Sequence, residues 1–201
     1  MNNVTKSQKS EKQAAKARLG AIGENLVVTQ LMQHGWDAFN ANCSIKNYKS
    51  IDVVCLDSSS SESEEHWWKP KTSLIQVKTS VENIITTGFT LEEALDKDYL
   101  LKMVKGPYVF ISAKKDKETD TYSFRYFIVP RSLFVNLLYK SNDYYVNVMH
   151  KNDPLVLSAP AGFYVSWLEG NPEFSTRNKF HFGNPITEER CEDEWNNIWK
   201  E

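Results

Sequence analysis

The segment Ser73-Leu74-Ile75-Gln76-Val77-Lys78-Thr79-Ser80 has the composition of a short buried strand that ends in polar residues. Its leucine, isoleucine and valine favour a covered, pleated surface. Gln76 and Lys78 are two residues apart, so both side chains point to the same face of a strand. Two interpretations follow: an amphipathic strand with one face in water, which is common in antiparallel sheets, or a strand that carries an active site.

The composition is that of an ordinary globular protein. Of 201 residues, 41% are hydrophobic and 25% are charged, with a net charge of −2. A nucleic-acid partner would therefore have to meet a local basic patch. Residues 1–18 contain five basic residues and one acid, which suits either contact with phosphate or a solvated helix start. We expect residues 1–11 to form a flexible basic N-terminus.

Cysteine usage and hydropathy bear on the compartment. The three cysteines show no C-x-x-C spacing, which argues against a disulfide framework or a zinc ribbon and for a reducing compartment. No run approaches the roughly 18 apolar residues of a membrane span, and no signal-peptide pattern follows the lysine-rich start. We therefore expect a cytoplasmic protein without a membrane partner.

Hydrophobic periodicity and turn residues predict an α-β-β-β-α-β-β-α order, an α/β fold with a mixed sheet. Thr90 is the expected N-cap of the second helix. Pro130 is expected at the first position of the third helix. Residues 57–66 are expected to be a connection without regular structure. The predicted helices are 12–34, 91–105, 130–139 and an acidic last helix at 188–200; the predicted strands are 36–41, 50–56, 73–79, 108–113, 122–129 and an edge strand at 144–149.

Two glycines, Gly20 and Gly23, lie inside the predicted first helix. Each costs about 1 kcal/mol relative to alanine in a helix interior. Tight packing of the helix on the sheet would explain them, and so would close approach of a ligand.

Polar residues from three predicted elements have the chemistry of a metal site. Asp52 lies in an otherwise apolar run, where a charge is costly unless it is paired or binds a metal. Glu24 has apolar helical neighbours three, four and seven residues later, so it lies beside a buried stripe. With Gln76 and Lys78, these acids provide the oxygen ligands that magnesium prefers.

Four segments together resemble the PD-(D/E)XK nuclease superfamily, in its restriction-endonuclease-like and Holliday-junction-resolvase-like branch. They are Gly20-Ala21-Ile22-Gly23-Glu24, Gly35-Trp36, Ile51-Asp52-Val53-Val54 and Ile75-Gln76-Val77-Lys78-Thr79-Ser80. The resemblance implies a restriction-endonuclease-like αβββαβ core, with a central mixed sheet flanked by helices. We expect this core over residues 12–150, and a C-terminal extension packed on it over residues 151–201.

The resemblance also assigns roles to individual residues. It makes Asp52 the main metal ligand, with Gln76 in the place of the second acid. It also implies that the backbone carbonyl of Val77 faces the metal and that Lys78 orients and activates the attacking water. Glu24 would ligate the metal directly or through water. The implied cofactor is Mg²⁺, with Mn²⁺ as a substitute.

The sequence departs from the superfamily pattern in two places. Ile51 stands where a proline is usual, and Gln76 replaces a carboxylate with a neutral amide that coordinates magnesium more weakly. The predicted function is a metal-dependent nuclease that hydrolyses DNA phosphodiester bonds, with RNA as the weaker candidate substrate and a homodimer as a possible assembly. The alternative is a weak or inactive nuclease-fold protein that binds nucleic acid or a protein partner.

Other candidates carry less specific signals. The pairs Trp67-Trp68 and Tyr144-Tyr145 would suit stacking on bases, although aromatics at strand edges more often belong to a core. Thr79 and Ser80 would either bind phosphate or end the strand. The four histidines are scattered without metal-ligand spacing.

Overall fold

A computed structural model describes residues 6–43, 51–61, 69–151, 156–175, 179–188 and 190–201. The strands are β1 (Asp37–Asn40), β2 (Val53–Ser61), β3 (Pro70–Ser80), β4 (Ile84–Thr90), β5 (Tyr108–Lys115), β6 (Tyr122–Val129) and β7 (Pro160–Tyr164). The α-helices are α1 (Lys6–Gln33), α2 (Leu91–Ala94), α3 (Lys97–Met103), α4 (Arg131–Asp143) and α5 (Val165–Leu168). A π-helix follows α4 at Tyr144–Met149, and 3₁₀ turns lie at Ala41–Cys43, Pro185–Glu188 and Trp195–Trp199.

The central sheet has five strands in the order β1-β2-β3-β5-β6. The first three form an antiparallel meander, β5 runs parallel to β3, and β6 returns antiparallel to β5. The expectation of an α/β fold with a mixed sheet flanked by helices is confirmed. A second, two-stranded sheet pairs β4 with β7, and neither of these strands was predicted.

The central sheet separates two hydrophobic clusters, and successive side chains of β3 point alternately toward one face of the sheet and the other. Ile75 and Val77 belong to the cluster under α1, together with Val27 and Leu31 of that helix. The other cluster packs α2, α3, α4 and the β4–β7 sheet against the opposite face. Because side chains alternate along a strand, Gln76 and Lys78 point away from α1. The first prediction, that they share a face, is consistent with this alternation.

Helix α1 is longer than predicted at its start. It begins at Lys6 and ends at Gln33, and Gly35 follows with a φ of 86°, a left-handed conformation that commonly ends a helix. Residues 6–18 contain no large apolar side chain, so no hydrophobic period marks this stretch. They also contain no glycine or proline, and the helix continues through them.

The two glycines of α1 have different environments. A Cβ on Gly23 would overlap Thr79 Oγ1 of β3 and lie 3.2 Å from Ile111 Cδ1 of β5. A Cβ on Gly20 would meet nothing within 4 Å. Tight helix–sheet packing therefore explains Gly23, whereas the same explanation is wrong for Gly20.

The predicted helix at 91–105 is two helices. Thr90 is the N-cap, as predicted, and forms a capping box in which Glu93 N donates to Thr90 Oγ1 over 3.2 Å and Thr90 N donates to Glu93 Oε2 over 2.8 Å. Asp96 then starts a new helix by accepting a hydrogen bond from Tyr99 N over 2.9 Å. A second good N-cap inside the predicted span divides the helix.

Two predicted elements are wrong. The edge strand at 144–149 is a π-helix that continues α4 without a break, since no glycine or proline ends that helix. In place of the predicted last helix at 188–200, the described residues of that span form only a 3₁₀ turn at Trp195–Trp199 and the end of the 3₁₀ turn Pro185–Glu188. There the chain pairs Glu192 with Phe127 in an isolated bridge, and the Asn197 side chain donates to Ile128 O over 3.0 Å. These long-range contacts replace helical hydrogen bonds.

Smaller differences concern element ends. Strand β2 continues to Ser61, into the stretch expected to be irregular, and residues 62–66 of that stretch lie outside the described residues. Pro130 is the N-cap of α4 and not its first residue, and α4 extends to Asp143. In the described part of the chain, no helix combines the length and apolar character needed to cross a membrane.

Candidate functional site

Asp52, Gln76 and Lys78 line one cleft of about 360 Å³. Asp52 lies directly before β2, and its backbone N–H donates to Ile75 O of β3 over 2.9 Å. The meander thus places the aspartate beside the strand that carries the amide and the lysine. All three residues come from parts of the chain that the sequence assigned to the site.

One oxygen of the Asp52 carboxylate accepts two hydrogen bonds from β3, one from Gln76 and one from Val77. Asp52 Oδ2 accepts from Gln76 Nε2 and, over 2.8 Å, from the backbone N–H of Val77. The Gln76 side chain is buried, and its Oε1 has no hydrogen-bond partner among the described residues. A buried acceptor without a partner costs about 1–3 kcal/mol, so this oxygen is available to a ligand.

Two asparagines that the sequence analysis missed connect the two acids. Glu24 Oε2 accepts from Asn40 Nδ2 over 2.7 Å, and Asn42 Nδ2 donates to Asp52 Oδ1 over 3.0 Å. Asn40 Oδ1 in turn accepts from the backbone N–H of Asn42 over 2.7 Å. The only signal for them was their position: Asn40 ends β1 and Asn42 lies in the 3₁₀ turn after it, and a meander places both next to the start of β2.

Lys78 is the only basic residue among those that line the cleft within the described chain. Burial lowers the pKa of its ammonium group, while the charges of Asp52 and Glu24 oppose that shift. Both acids thus act on Lys78 electrostatically, including Glu24, which does not itself line the cleft. The lysine is therefore a poorly solvated cation, and its interaction with an anion is stronger than at a water-exposed site.

The opposite wall of the cleft comes from β4, α2, α3 and β5. Glu93 and Tyr99 lie there, with Tyr99 Oη donating to Glu93 Oε1 over 3.1 Å. The backbone N–H of Thr90 is the main cause of a lowered pKa of Glu93. Burial, with a contribution from Asp52, raises the pKa of Tyr108, so its hydroxyl stays protonated. In the sequence, Glu93 is marked only by its place in the first turn of the predicted helix at 91–105.

The donor atoms of the site fit a hard divalent cation. The described residues contain no group of three or more histidines, cysteines, aspartates or glutamates placed to hold a metal. The possible ligands are instead the carboxylate of Asp52 and the amide oxygen of Gln76, with Glu24 connected to them through the asparagines. Magnesium takes oxygen ligands and is commonly bound by only one or two carboxylates while it keeps several waters.

The other residues that the sequence suggested for binding have contacts typical of a core or a turn. Tyr144 and Tyr145 pack on Phe174, with ring centroids 5.9 Å and 5.3 Å away, which supports their interpretation as core residues. Ser80 Oγ accepts from Glu82 N over 3.0 Å, which is typical of a turn that ends a strand. Trp67 and Trp68 lie outside the described residues.

Comparisons of the chain with protein-family models, with curated proteins and with solved structures give no significant match. The superfamily resemblance and the ligand roles attached to it therefore stay predictions. What the geometry provides is a cleft in which a carboxylate, an amide and a cation from predicted positions lie together. Such an arrangement can bind a divalent cation and an anionic group side by side.

Proposed function

We propose that the chain is a magnesium-dependent nuclease of the PD-(D/E)XK type that hydrolyses DNA phosphodiester bonds in this cleft. One observation carries the proposal: the buried Gln76 oxygen has no partner among the described residues and lies beside Asp52, in a cleft that also contains Lys78. The meander followed by a parallel strand also supports it, because that order matches the αβββαβ core that the resemblance implies.

Each residue has a role that its surroundings suit. Asp52, Gln76, the Val77 carbonyl and, directly or through water, Glu24 would hold Mg²⁺, which supplies Lewis acidity at a phosphate oxygen. Lys78 stabilises the negative charge that develops on the phosphate and orients the attacking water. The asparagine contacts fix the orientation of the two carboxylates before substrate arrives, as outer-sphere contacts do in metal sites.

The proposal predicts cleavage that depends on both the metal and the cleft. Purified protein should nick supercoiled plasmid DNA with Mg²⁺ or Mn²⁺ and not with EDTA. Asp52→Asn and Lys78→Gln should each lower the rate by at least about 100-fold, since each removes a charge that acts on the transition state. Lys140→Gln, an exposed change on α4, is the matched control and should cut at the wild-type rate.

Stability must be measured beside activity, because Asp52 accepts three hydrogen bonds. Thermal unfolding followed by circular dichroism separates loss of fold from loss of chemistry. Undiminished cleavage by folded Asp52→Asn and Lys78→Gln proteins would refute the assignment of this cleft.

The second candidate is a nuclease-fold protein with little or no activity that binds nucleic acid or a protein partner. It is favoured by the Gln76 amide, which already donates to Asp52 and adds no negative charge to the site. Calorimetric titration with Mn²⁺ at low ionic strength distinguishes the two: a binding heat abolished in Asp52→Asn supports the nuclease, and no heat in the wild type supports the second candidate. Competition between DNA and RNA of equal sequence then decides the substrate class.

A further inference from the structure

The first half of α1 includes a stretch that is exposed at every residue from 10 to 18. The second half of the helix instead buries Gly23, Val27 and Leu31 against the sheet. A polar helix of this length gains little stability from its own hydrogen bonds in water. In this helix, residues 10–18 are exposed and are not part of either hydrophobic cluster. We call residues 6–18 the basic arm.

Contacts between α1 and β3 place this arm relative to the candidate site. Gly23 lies against Thr79, the residue after Lys78, and Val27 and Leu31 pack in one cluster with Ile75. Helix α1 therefore runs antiparallel to β3, and toward its N-terminus it passes the end of β3 that carries the cleft residues. At 1.5 Å per residue, Lys16 lies about 10 Å beyond Gly23 along the helix axis, and Lys12 lies about 16 Å beyond it.

The charge of the arm is mostly positive. It contains five basic residues and one acid, in a chain whose net charge is −2. Lys12, Lys16 and Arg18 are exposed. Lys12 and Lys16 are four residues apart, a spacing at which like charges repel, and the first turn of α1 contains no acidic residue that would suit the positive end of the helix dipole. An anion along this face would relieve both effects.

We propose that the basic arm binds the phosphate backbone of a DNA duplex that extends from the cleft. The length of the arm suits several successive phosphates, and contacts to phosphate carry no direct information on base sequence, so we expect this contact to be independent of sequence. The direction in which the duplex leaves the cleft rests on the proposed function, while the binding itself does not.

Binding is measured without cleavage, by fluorescence anisotropy of a labelled 30-base-pair duplex in Ca²⁺ at several salt concentrations. The test variant is Lys12→Glu/Lys16→Glu. The matched control is Lys140→Glu/Lys200→Glu, which makes the same change in net charge at exposed positions away from the arm. The test variant should bind at least 10-fold more weakly, and the slope of log Kd against log salt concentration should fall by about 2. The control should change Kd less than 2-fold.

The outcomes separate this proposal from the nuclease. Equal weakening in both variants, unchanged affinity in the test variant, or no binding of DNA by the wild type overturns the role of the arm. Cleavage with Mn²⁺ decides the other question: a wild-type protein that binds through the arm but cuts nothing keeps this proposal and removes the nuclease. A protein that cuts DNA but binds it equally well without the two lysines does the reverse.

Discussion

Gln76 determines how the site behaves without a metal. Its amide nitrogen donates to Asp52, so the two side chains attract each other in the absence of any ion. A glutamate at this position would instead place two carboxylates in contact, as in sites where the cation is needed to offset their repulsion. The glutamine therefore avoids a like-charge contact in the empty site, and a cation bound there would be held more weakly than by two carboxylates.

The difference between an amide and a carboxylate beside Asp52 gives a prediction for Gln76→Glu. Without metal, the variant should be about 1–3 kcal/mol less stable than the wild type at pH 7, because a hydrogen bond becomes a like-charge contact. The repulsion raises the pKa of the carboxyl pair above its unfolded value, so the loss should shrink as pH falls toward 4 and one carboxyl takes up a proton. Urea unfolding at the two pH values measures this.

Adding Mg²⁺ should stabilise Gln76→Glu more than it stabilises the wild type, because a second carboxylate strengthens cation binding. Thr72→Glu adds the same charge at an exposed position of β3 and is the control. It should show no difference in the response to metal. An equal response of Gln76→Glu and the wild type would mean that no cation binds between Gln76 and Asp52.

At the scale of single residues, sequence reasoning selected Asp52, Gln76 and Lys78, which line one cleft, but not the asparagines that contact the two acids. Strand alternation alone places Gln76 and Lys78 on one face, and an acid in an apolar run is conspicuous by its cost. Asn40 and Asn42 carry no such signal, because a polar residue at the end of a strand is ordinary. Their contacts depend on where Glu24 and Asp52 lie after folding.

Among the elements, the contact of α1 with β3 is the one most sensitive to a single atom. Gly23→Ala should destabilise the protein by about 1–3 kcal/mol, since the new methyl group overlaps the Thr79 hydroxyl and crowds Ile111. Gly20→Ala makes the same substitution three residues earlier, where nothing lies within 4 Å. It should stabilise the helix by about 0.5–1 kcal/mol.

Thermal unfolding of the two variants side by side tests the packing, and opposite signs are expected. Gly23→Ala combined with Thr79→Ala should recover part of the loss, because the second substitution removes the overlapping oxygen. If both alanines stabilise the protein equally, α1 does not approach β3 as closely as this contact requires.

The elements that the sequence predicted are those with a local cause. Strands β3, β5 and β6 have apolar runs, and α2 has a threonine cap with an acid three residues later. Strand β7 contains both a proline and a glycine, which lower strand propensity. A Cβ on that glycine, Gly162, would lie 2.9 Å from Ile85 O. The residue is explained by its pairing with β4, which no local pattern reveals.

For the molecule as a whole, Arg125 connects three distant segments. Its guanidinium donates to Glu169 over 2.5 Å and, through two nitrogens, to Glu192 over 2.7 and 2.9 Å. Strand β6, the segment after α5 and the C-terminal segment thus meet at one charged group. These segments are 44 and 67 residues away from Arg125 in sequence, so their association lay beyond any reading of local patterns.

Removing one partner should weaken this connection in a pH-dependent way. Hydrogen bonding to Arg125 lowers the pKa of Glu192 below its unfolded value of about 4.3. Its contribution is therefore complete above that pH and is lost as pH falls through the lower folded pKa. Because both groups are partly exposed, Glu192→Gln should cost only about 0.5–1 kcal/mol at pH 7 and low salt.

Urea unfolding midpoints measure this, with Glu118→Gln, an exposed turn residue, as the control. The variant and the wild type should converge in strong acid, where the glutamate is protonated in both states, and also at high salt. A difference that persists at pH 2 would point to lost packing in place of lost charge.

The parallel pairing of β3 with β5 has a consequence for biosynthesis. The residues predicted to bind the metal, from Glu24 to Lys78, leave the ribosome before the strand that covers the other side of β3. Until residues 108–112 follow, β3 is an open edge whose unpaired backbone groups invite other chains. The nascent chain therefore contains the predicted metal-binding residues well before the cleft forms. Aggregation is most favoured during synthesis of the roughly 30 residues between Ser80 and Tyr108.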